Sequence, residues 1–263
     1  MNEPTMFESR KATPDTTIIN AYLPVPGFGV LPVNAFVVHA REPVLVDTGM
    51  AGLRTDFMHE LESAIDPADL RWIWITHTDP DHVGSLATVL EAAPQARVVT
   101  NYLGMGKMGL LQLPLDRVYL INPGQSLNVG DRNLTAVAPP SFDAPETTGL
   151  FDHKSATLFS ADCFGALMDA PAEWAADIEP QKLRDGCIAW ATVDAPWLSM
   201  IDPGKFGQTL STIEQFKPDT LLSCHLPPAK GLTKALLTNL ADAQHAPRFV
   251  GPDQQALEKM VAA

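Results

Sequence analysis

Four side chains able to bind a metal ion fall within six residues of this chain: His77, Asp79, Asp81 and His82, in Thr76-His77-Thr78-Asp79-Pro80-Asp81-His82-Val83-Gly84. Imidazole nitrogens and carboxylate oxygens are both metal donors. The elements around them dictate how they are aimed. Leu70 to Ile75 is an apolar run that reads as a buried strand, and Val83 to Ala93 carries apolar residues at helical spacing. The motif therefore lies where a strand hands over to a helix. On extended backbone, residues two apart point the same way, so His77 and Asp79 project together. Pro80 fixes its own φ and ends the extended run. Asp81 and His82 open the helix, where exposed amides favour an anion. One short turn can thus direct four donors at one small volume. The competing reading is a solvated acidic turn with incidental histidines.

This motif resembles the metallo-β-lactamase superfamily, whose signature at this place is His-x-His-x-Asp-His. Asp79 stands here for the second His, and an acid at that position is similar to the flavodiiron and related oxygen-binding diiron proteins, which usually carry Glu. Leu158-Phe159-Ser160-Ala161-Asp162-Cys163-Phe164-Gly165 resembles the segment in which an Asp at a strand end bridges two metals. A carboxylate can do so because both oxygens carry spare lone pairs; the alternative for Asp162 is a helix N-cap. His225, in Leu221-Leu222-Ser223-Cys224-His225-Leu226-Pro227, matches the last superfamily His, with Leu226 in place of a Gly. Asp47, in Val44-Leu45-Val46-Asp47-Thr48-Gly49, matches an Asp that receives the second N–H of a ligating imidazole.

One position departs further. Relatives place a His on the loop before the bridging Asp, and the Pro and Gly register of Ala138 to Gly149 puts Asp143 there. Three readings stay open: Asp143 binds directly, it holds a water, or that metal position is weakened. His153 lies in a hairpin turn and reads as exposed. His39, His59 and His245 have no ligand-like spacing. Cys163 and Cys224 each neighbour a candidate ligand, and on extended backbone both thiols should face away from the metals, as core.

Composition bounds the rest. The chain has 263 residues, 46% hydrophobic, with a formal charge of −13. That is enough for a substantial core, and the acidic balance argues against nucleic acid or an anionic membrane as partner. No apolar run is long enough for a bilayer, and no signal peptide is visible. Three widely spaced cysteines make a disulfide framework improbable, so a cytoplasmic location is the expectation.

In chain order, residues 1–15 read as a polar, flexible tail. Strands are expected at Thr16–Val25, Val33–Ala40, Val44–Val46, Leu70–Ile75, Ala96–Thr100, Arg117–Ile121, Ser126–Leu127, Asn133–Val137, Thr157–Phe159 and Thr220–Ser223. Pro26 to Gly29 reads as a loop. Helices are expected at Leu53–Ile65, Val83–Ala93, Tyr102–Leu113, Pro203–Phe216, Leu232–Ala243 and Asp253–Val261. Phe164 to Asp202 is the least periodic part and carries Trp174, Trp190 and Trp197. Periodicity supports a mixed α/β domain. The resemblance implies an αββα sandwich over residues 1–263, with the tryptophan-bearing segment over the site.

By the resemblance, one ion takes His77, Asp79, Asp143 and Asp162, and the other takes Asp81, His82, His225 and the same Asp162. Four carboxylates (−4) then balance two divalent ions (+4). A zinc hydrolase keeps excess positive charge, which lowers the pKa of bound water. Its loss favours Fe, with Mn or Zn as alternatives. The resemblance implies a non-haem diiron protein that binds or reduces O2 or NO. No glycine-rich phosphate loop or FMN domain is expected before Ala263, so electrons should come from a separate protein. Two other readings remain: a metal-dependent hydrolase of ester, thioester, phosphoester or lactam substrates, and a sensor with a degraded site.

Overall fold

The computed structural model describes residues 3–262. Strands β1 (Thr5–Met6) and β2 (Arg10–Thr13) precede a long hairpin of β3 (Thr16–Val25) and β4 (Gly29–Val38). Then come β5 (Val44–Val46), α1 (Arg54–Ala64), β6 (Trp72–Trp74), α2 (Pro80–Val83), α3 (Leu86–Ala92), β7 (Arg97–Thr100), α4 (Tyr102–Leu110) and β8 (Val118–Leu120). The second half runs β9 (Ser126–Asn128), β10 (Asn133–Val137), β11 (Gly149–Asp152), β12 (Thr157–Phe159), α5 (Pro180–Asp194), α6 (Pro203–Phe216), β13 (Thr220–Leu222), β14 (Ala229–Lys230), α7 (Thr233–Ala243) and α8 (Gln254–Ala262).

Two sheets result. One has the order β1-β3-β4-β5-β6-β7-β8, with β2 also on β3; the other has the order β14-β13-β12-β11-β10-β9. Strands β5 to β8 pair in parallel, as do β12 and β13. Parallel neighbours need crossovers, and α1, α2 with α3, and α4 supply them. The alternation of side chains on each strand sorts the apolar residues into three clusters. Trp74, Phe36, Val46, Leu134, Leu150 and Phe159 fill the space between the sheets, where Phe36 and Phe159 meet edge to face at 5.5 Å. The neighbours of Trp74, Ile73 and Ile75, point outward to Phe57, Leu61 and Val89 of the first helical layer. Leu158 and Leu221 pack against Leu183, Phe206 and Leu236 of the second. Each fully buried side chain of this size contributes about 1.5–3 kcal/mol. The architecture is the αββα sandwich.

Several local expectations are corrected. Residues 5–6 and 10–13 are strands on the sheet edge, not a flexible tail. Their backbone pairs with β3, Phe7 packs edge to face on Tyr22 at 5.1 Å, and Ser9 N–H donates to Glu60 at 2.6 Å. Edge pairing of this kind needs no apolar periodicity. The loop at Pro26–Gly29 is tighter than expected: β4 begins at Gly29, whose φ is +93° and where a Cβ would lie 2.1 Å from the Met168 carbonyl oxygen. Helix α5 was hidden in the least periodic segment. The expected helix from Val83 to Ala93 is broken at Gly84 and Ser85. A Cβ on Gly84 would lie 2.2 Å from the Ala51 nitrogen, so another backbone crosses there. Strands β11 and β14 were also not expected. Among the described residues, no helix is long and apolar enough to cross a membrane.

Candidate metal centre

The candidate residues meet where parallel strands of both sheets end. In the β5–β6 pair, Val46 sits opposite Trp74; Asp47 and His77 lie just beyond. In the β12–β13 pair, Phe159 sits opposite Leu222, and Asp162 and His225 are each three residues further on. Parallel register therefore delivers these two residues to the same level.

The turn after β6 is built as its composition dictates. Asp79 occupies the N-cap of α2, with φ −70° and ψ 153°, and Pro80 takes the first helical position. An N-cap Asp ordinarily accepts from helix amides. Asp79 makes no such bond, and its carboxylate is left for the site. The short helix then presents Asp81 and His82.

Asp162 is central. Its Oδ2 lies 3.3 Å from His77 Nε2, and its Oδ1 lies 3.1 Å from His82 Nε2 and 3.3 Å from His225 Nε2. Asp81 Oδ2 is 3.5 Å from both His82 Nε2 and His225 Nε2. Donor atoms of His77, Asp79 and Asp143 form a second group within 4.8 Å of one another. Two donor groups thus share one carboxylate, each facing its own oxygen. Ligand atoms at ~2.1 Å from an ion stand ~3.0–3.5 Å apart, the range seen here.

The chemistry of the donor set passes a second test. His77 Nε2, His82 Nε2 and Asp162 Oδ1 are buried with no hydrogen-bond partner, a costly state unless cations serve them. The opposite nitrogen of each imidazole is occupied. His77 Nδ1 is 3.1 Å from Thr76 Oγ1, His82 Nδ1 is 3.0 Å from Asp47 Oδ2, and His225 Nδ1 donates to the Pro32 carbonyl at 2.7 Å. A neutral imidazole donating through Nδ1 aims a lone pair through Nε2, the arrangement of a ligating His.

Electrostatics agree. Burial pulls His225 down, but Asp162 and Asp81 outweigh it and raise its pKa to about 9. Burial likewise opposes the charged form of His82, and Asp162, Asp81 and Asp47 hold it well above the ordinary value. Burial pushes Asp162 up, and His225, His82 and His77 overcome it to hold the carboxyl well below its usual range. Asp143 is raised by burial and by Asp162 and Asp79, against the pull of His77. So many carboxylates hold protons on nearby groups, which a metal ion would displace.

A supporting network orients the donors. Asp47 adopts φ +58°, a region Asp tolerates better than most residues. Its carboxylate accepts from Thr76 N–H and Oγ1, both at 2.8 Å, besides facing His82. Cys224 corrects an expectation: it is buried, yet its thiol donates to Asp47 Oδ2 at 3.2 Å rather than packing as inert core. Cys163 lies in the apolar cluster with Ser141 donating to its sulfur at 3.2 Å, and burial pushes its thiol up to about 12. Three supporting residues carry no sequence signal. Asn34 donates from one amide to the Ser223 and Leu226 carbonyls, at 2.9 and 2.8 Å, clamping the His225 loop. Buried Glu146 accepts from Thr78 at 2.9 Å and pairs with Lys107 at 2.7 Å, tying the Asp143 loop to the His77 turn. Asp194, at the end of α5, places a carboxylate oxygen within 4.8 Å of those of Asp143 and Asp162. Burial, then Asp162 and Asp143, hold it well above its usual value. The Glu179-Pro180 start of α5 was the one available signal for this helix.

Of the three tryptophans between Phe164 and Asp202, one touches the candidate ligands and a second touches the loop that carries Asp143. Trp190 packs tilted against the His225 ring, with centroids 4.6 Å apart, and donates to the Asp162 carbonyl at 3.1 Å. Trp197 donates to the Phe142 carbonyl at 2.9 Å, beside Asp143. Trp174 instead stacks under Arg10 at 5.3 Å. His153 is exposed and bonds Thr135 at 2.8 Å.

Residues 31–188 match the family model described as ODP family beta lactamase. The type A flavoprotein fprA of Rhodobacter capsulatus is 32% identical over 137 residues, 51% of this chain and 32% of its own length. Diflavin flavoprotein A 1 of Synechocystis sp. is 27% identical over 134 residues, 50% of this chain and 23% of its own. The chain thus spans a third or less of the length of these curated relatives. Among solved structures, the rubredoxin oxygen:oxidoreductase of Desulfovibrio gigas superposes with a TM-score of 0.76 at 20% identity, over 91% of this chain and 62% of that one. The flavodiiron protein of Giardia intestinalis gives 0.78 at 15% identity, over 93% and 62%. These likenesses establish a shared fold.

Proposed function

This chain belongs to the family described as ODP family beta lactamase, and from that premise we propose that its site holds two iron ions and binds or reduces O2 or NO. Electrons reach the site from outside residues 1–263. One observation carries the reading: the two oxygens of Asp162 face two different donor groups, His77 on one side and His82 with His225 on the other.

In this reading His77, Asp79, Asp143 and Asp162 hold one ion, and Asp81, His82, His225 and Asp162 hold the other. Bound iron supplies the electron-accepting and electron-donating chemistry that O2 or NO requires. The protein's part is to hold the donors in place. Asp47, Pro32 and Thr76 occupy the outer nitrogens of the three imidazoles and so fix which nitrogen faces inward. Trp190 covers the His225 side, while exposed Asp143 keeps the other side open to solvent and to a small ligand. The carboxylate count disfavours a hydrolase: four carboxylates cancel the charge of two divalent ions, and the excess that would make hydroxide from bound water is gone. Hard oxygen donors mixed with imidazole suit iron or manganese. The Desulfovibrio structure, a rubredoxin oxygen:oxidoreductase, supports the same choice.

Elemental analysis of protein purified without added metal tests the proposal. About two irons per chain, together with an absorption change when the reduced protein meets O2 or NO, is the expected result. Zinc in their place, with no response to either gas, would overturn it.

A further inference from the structure

We propose that Asp194 is an additional protein ligand of the centre, joining the ion held by His77, Asp79 and Asp143. This rests on the dinuclear reading above and adds a residue to it.

Three observations converge. Asp194 is 7% exposed, and its Oδ2 is buried without a hydrogen-bond partner. One carboxylate oxygen each of Asp143, Asp162 and Asp194 lie within 4.8 Å of one another. Asp194 is also the last residue of α5, a helix of 15 residues, whose C-terminal end carries partial negative charge. A carboxylate is disfavoured there on every count: it is desolvated, it faces two other acids, and it sits at the wrong pole of a helix. Buried charges of this kind are paired or coordinate a metal. Its aim is set by the helix itself. Trp190 lies one turn earlier on the same face and is anchored to the Asp162 carbonyl at 3.1 Å. The bond that fixes the helix against the bridging residue therefore also delivers Asp194 to the centre. Asp143 is exposed and Asp194 buried, so the two acids approach the same ion from the solvent side and from the protein side. With Asp194 the carboxylates number five, which strengthens the preference for ions of higher charge.

The test uses the full chain, stripped of metal and titrated anaerobically with Fe(II) against a chromophoric chelator. Wild type is compared with Asp194→Asn, Asp194→Ala, the exposed control Asp169→Asn, and Asp162→Asn. Far-UV circular dichroism and melting of the metal-free forms establish folding, and Asp194→Asn preserves the shape of the side chain. The expected result is that both Asp194 variants hold one of the two ions at least about tenfold more weakly, while Asp169→Asn matches wild type. Co(II) substitution supplies a readout that a nearby charge alone would not move: its visible bands intensify as a ligand is lost. Equal affinity and an unchanged Co(II) spectrum in both Asp194 variants would overturn this inference and leave the dinuclear reading standing. A wild-type chain that takes up no Fe(II) or Co(II) would overturn both.

Discussion

Trp190 donates its indole N–H to the carbonyl oxygen of Asp162 at 3.1 Å, and Gly165 is what lets it do so. A Cβ on Gly165 would stand 2.5 Å from Trp190 Nε1 and 2.7 Å from His225 Cβ. Neither is the free end of a flexible chain, so helix and loop would have to part. Gly165→Ala is expected to destabilise the chain by about 1–3 kcal/mol and to weaken metal binding in the same variant. Urea unfolding and chelator competition measure the two effects. A variant that keeps wild-type stability would show that the close approach has no consequence.

Asp47 collects the Thr76 amide and hydroxyl, His82 Nδ1 and the Cys224 thiol on one carboxylate. Asp47→Asn preserves shape and tolerates φ +58°, but exchanges an acceptor for a donor. Metal affinity should fall about 10–100-fold while the far-UV spectrum is retained. Undiminished affinity would mean that His82 needs no such partner.

The carboxylate of Asp143 comes within 4.8 Å of His77 and Asp79 donors. Asp143→Ala is expected to weaken one ion about tenfold or more and leave the other, held by Asp81, His82 and His225, nearly unchanged. Loss of both ions together, or of neither, would contradict the division of ligands.

Glu146 gives a pH prediction. Burial pushes its carboxyl up, but Lys107 and Thr78 overcome this and hold it below its ordinary value of 4.5. The unfolded chain therefore takes up this proton first. The stabilisation is present above about pH 4.5 and is lost as pH falls through the lower folded value. Glu146→Gln should thus show a shallower loss of stability than wild type as pH falls from about 5 to about 3. Lys107 is 41% exposed, so Lys107→Met at pH 7 is expected to cost only about 1–3 kcal/mol. Urea midpoints at about pH 5 and about pH 3 decide the matter, and identical slopes for wild type and Glu146→Gln would rule out the coupling.

What the sequence determined by itself lies in short stretches. His77, Asp79, Asp81 and His82 are aimed by a strand end, a proline and the first turn of a helix, so their convergence follows from local backbone geometry. The two-residue period of β6 likewise sorts Trp74 inward and Ile73 and Ile75 outward. The αββα order was legible with the help of the resemblance, as was the strand-end setting of Asp162 and His225. Tertiary structure alone decided the rest. Asn34 and Glu146 act across long separations, through a hairpin and a loop whose packing no window of residues encodes. Strands β1 and β2 are held by backbone pairing to β3, for which polar side chains give no sign. Helix α5 was obscured because it serves two surroundings at once: Leu183, Cys187 and Ala191 face the apolar layer, while Trp190 and Asp194 face the centre. That division interrupts the apolar stripe by which a helix is recognised. Nothing in the sequence sets Asp194 apart from the other acids of the chain, because a buried charge becomes visible only when the fold withdraws its water and brings Asp143 and Asp162 beside it.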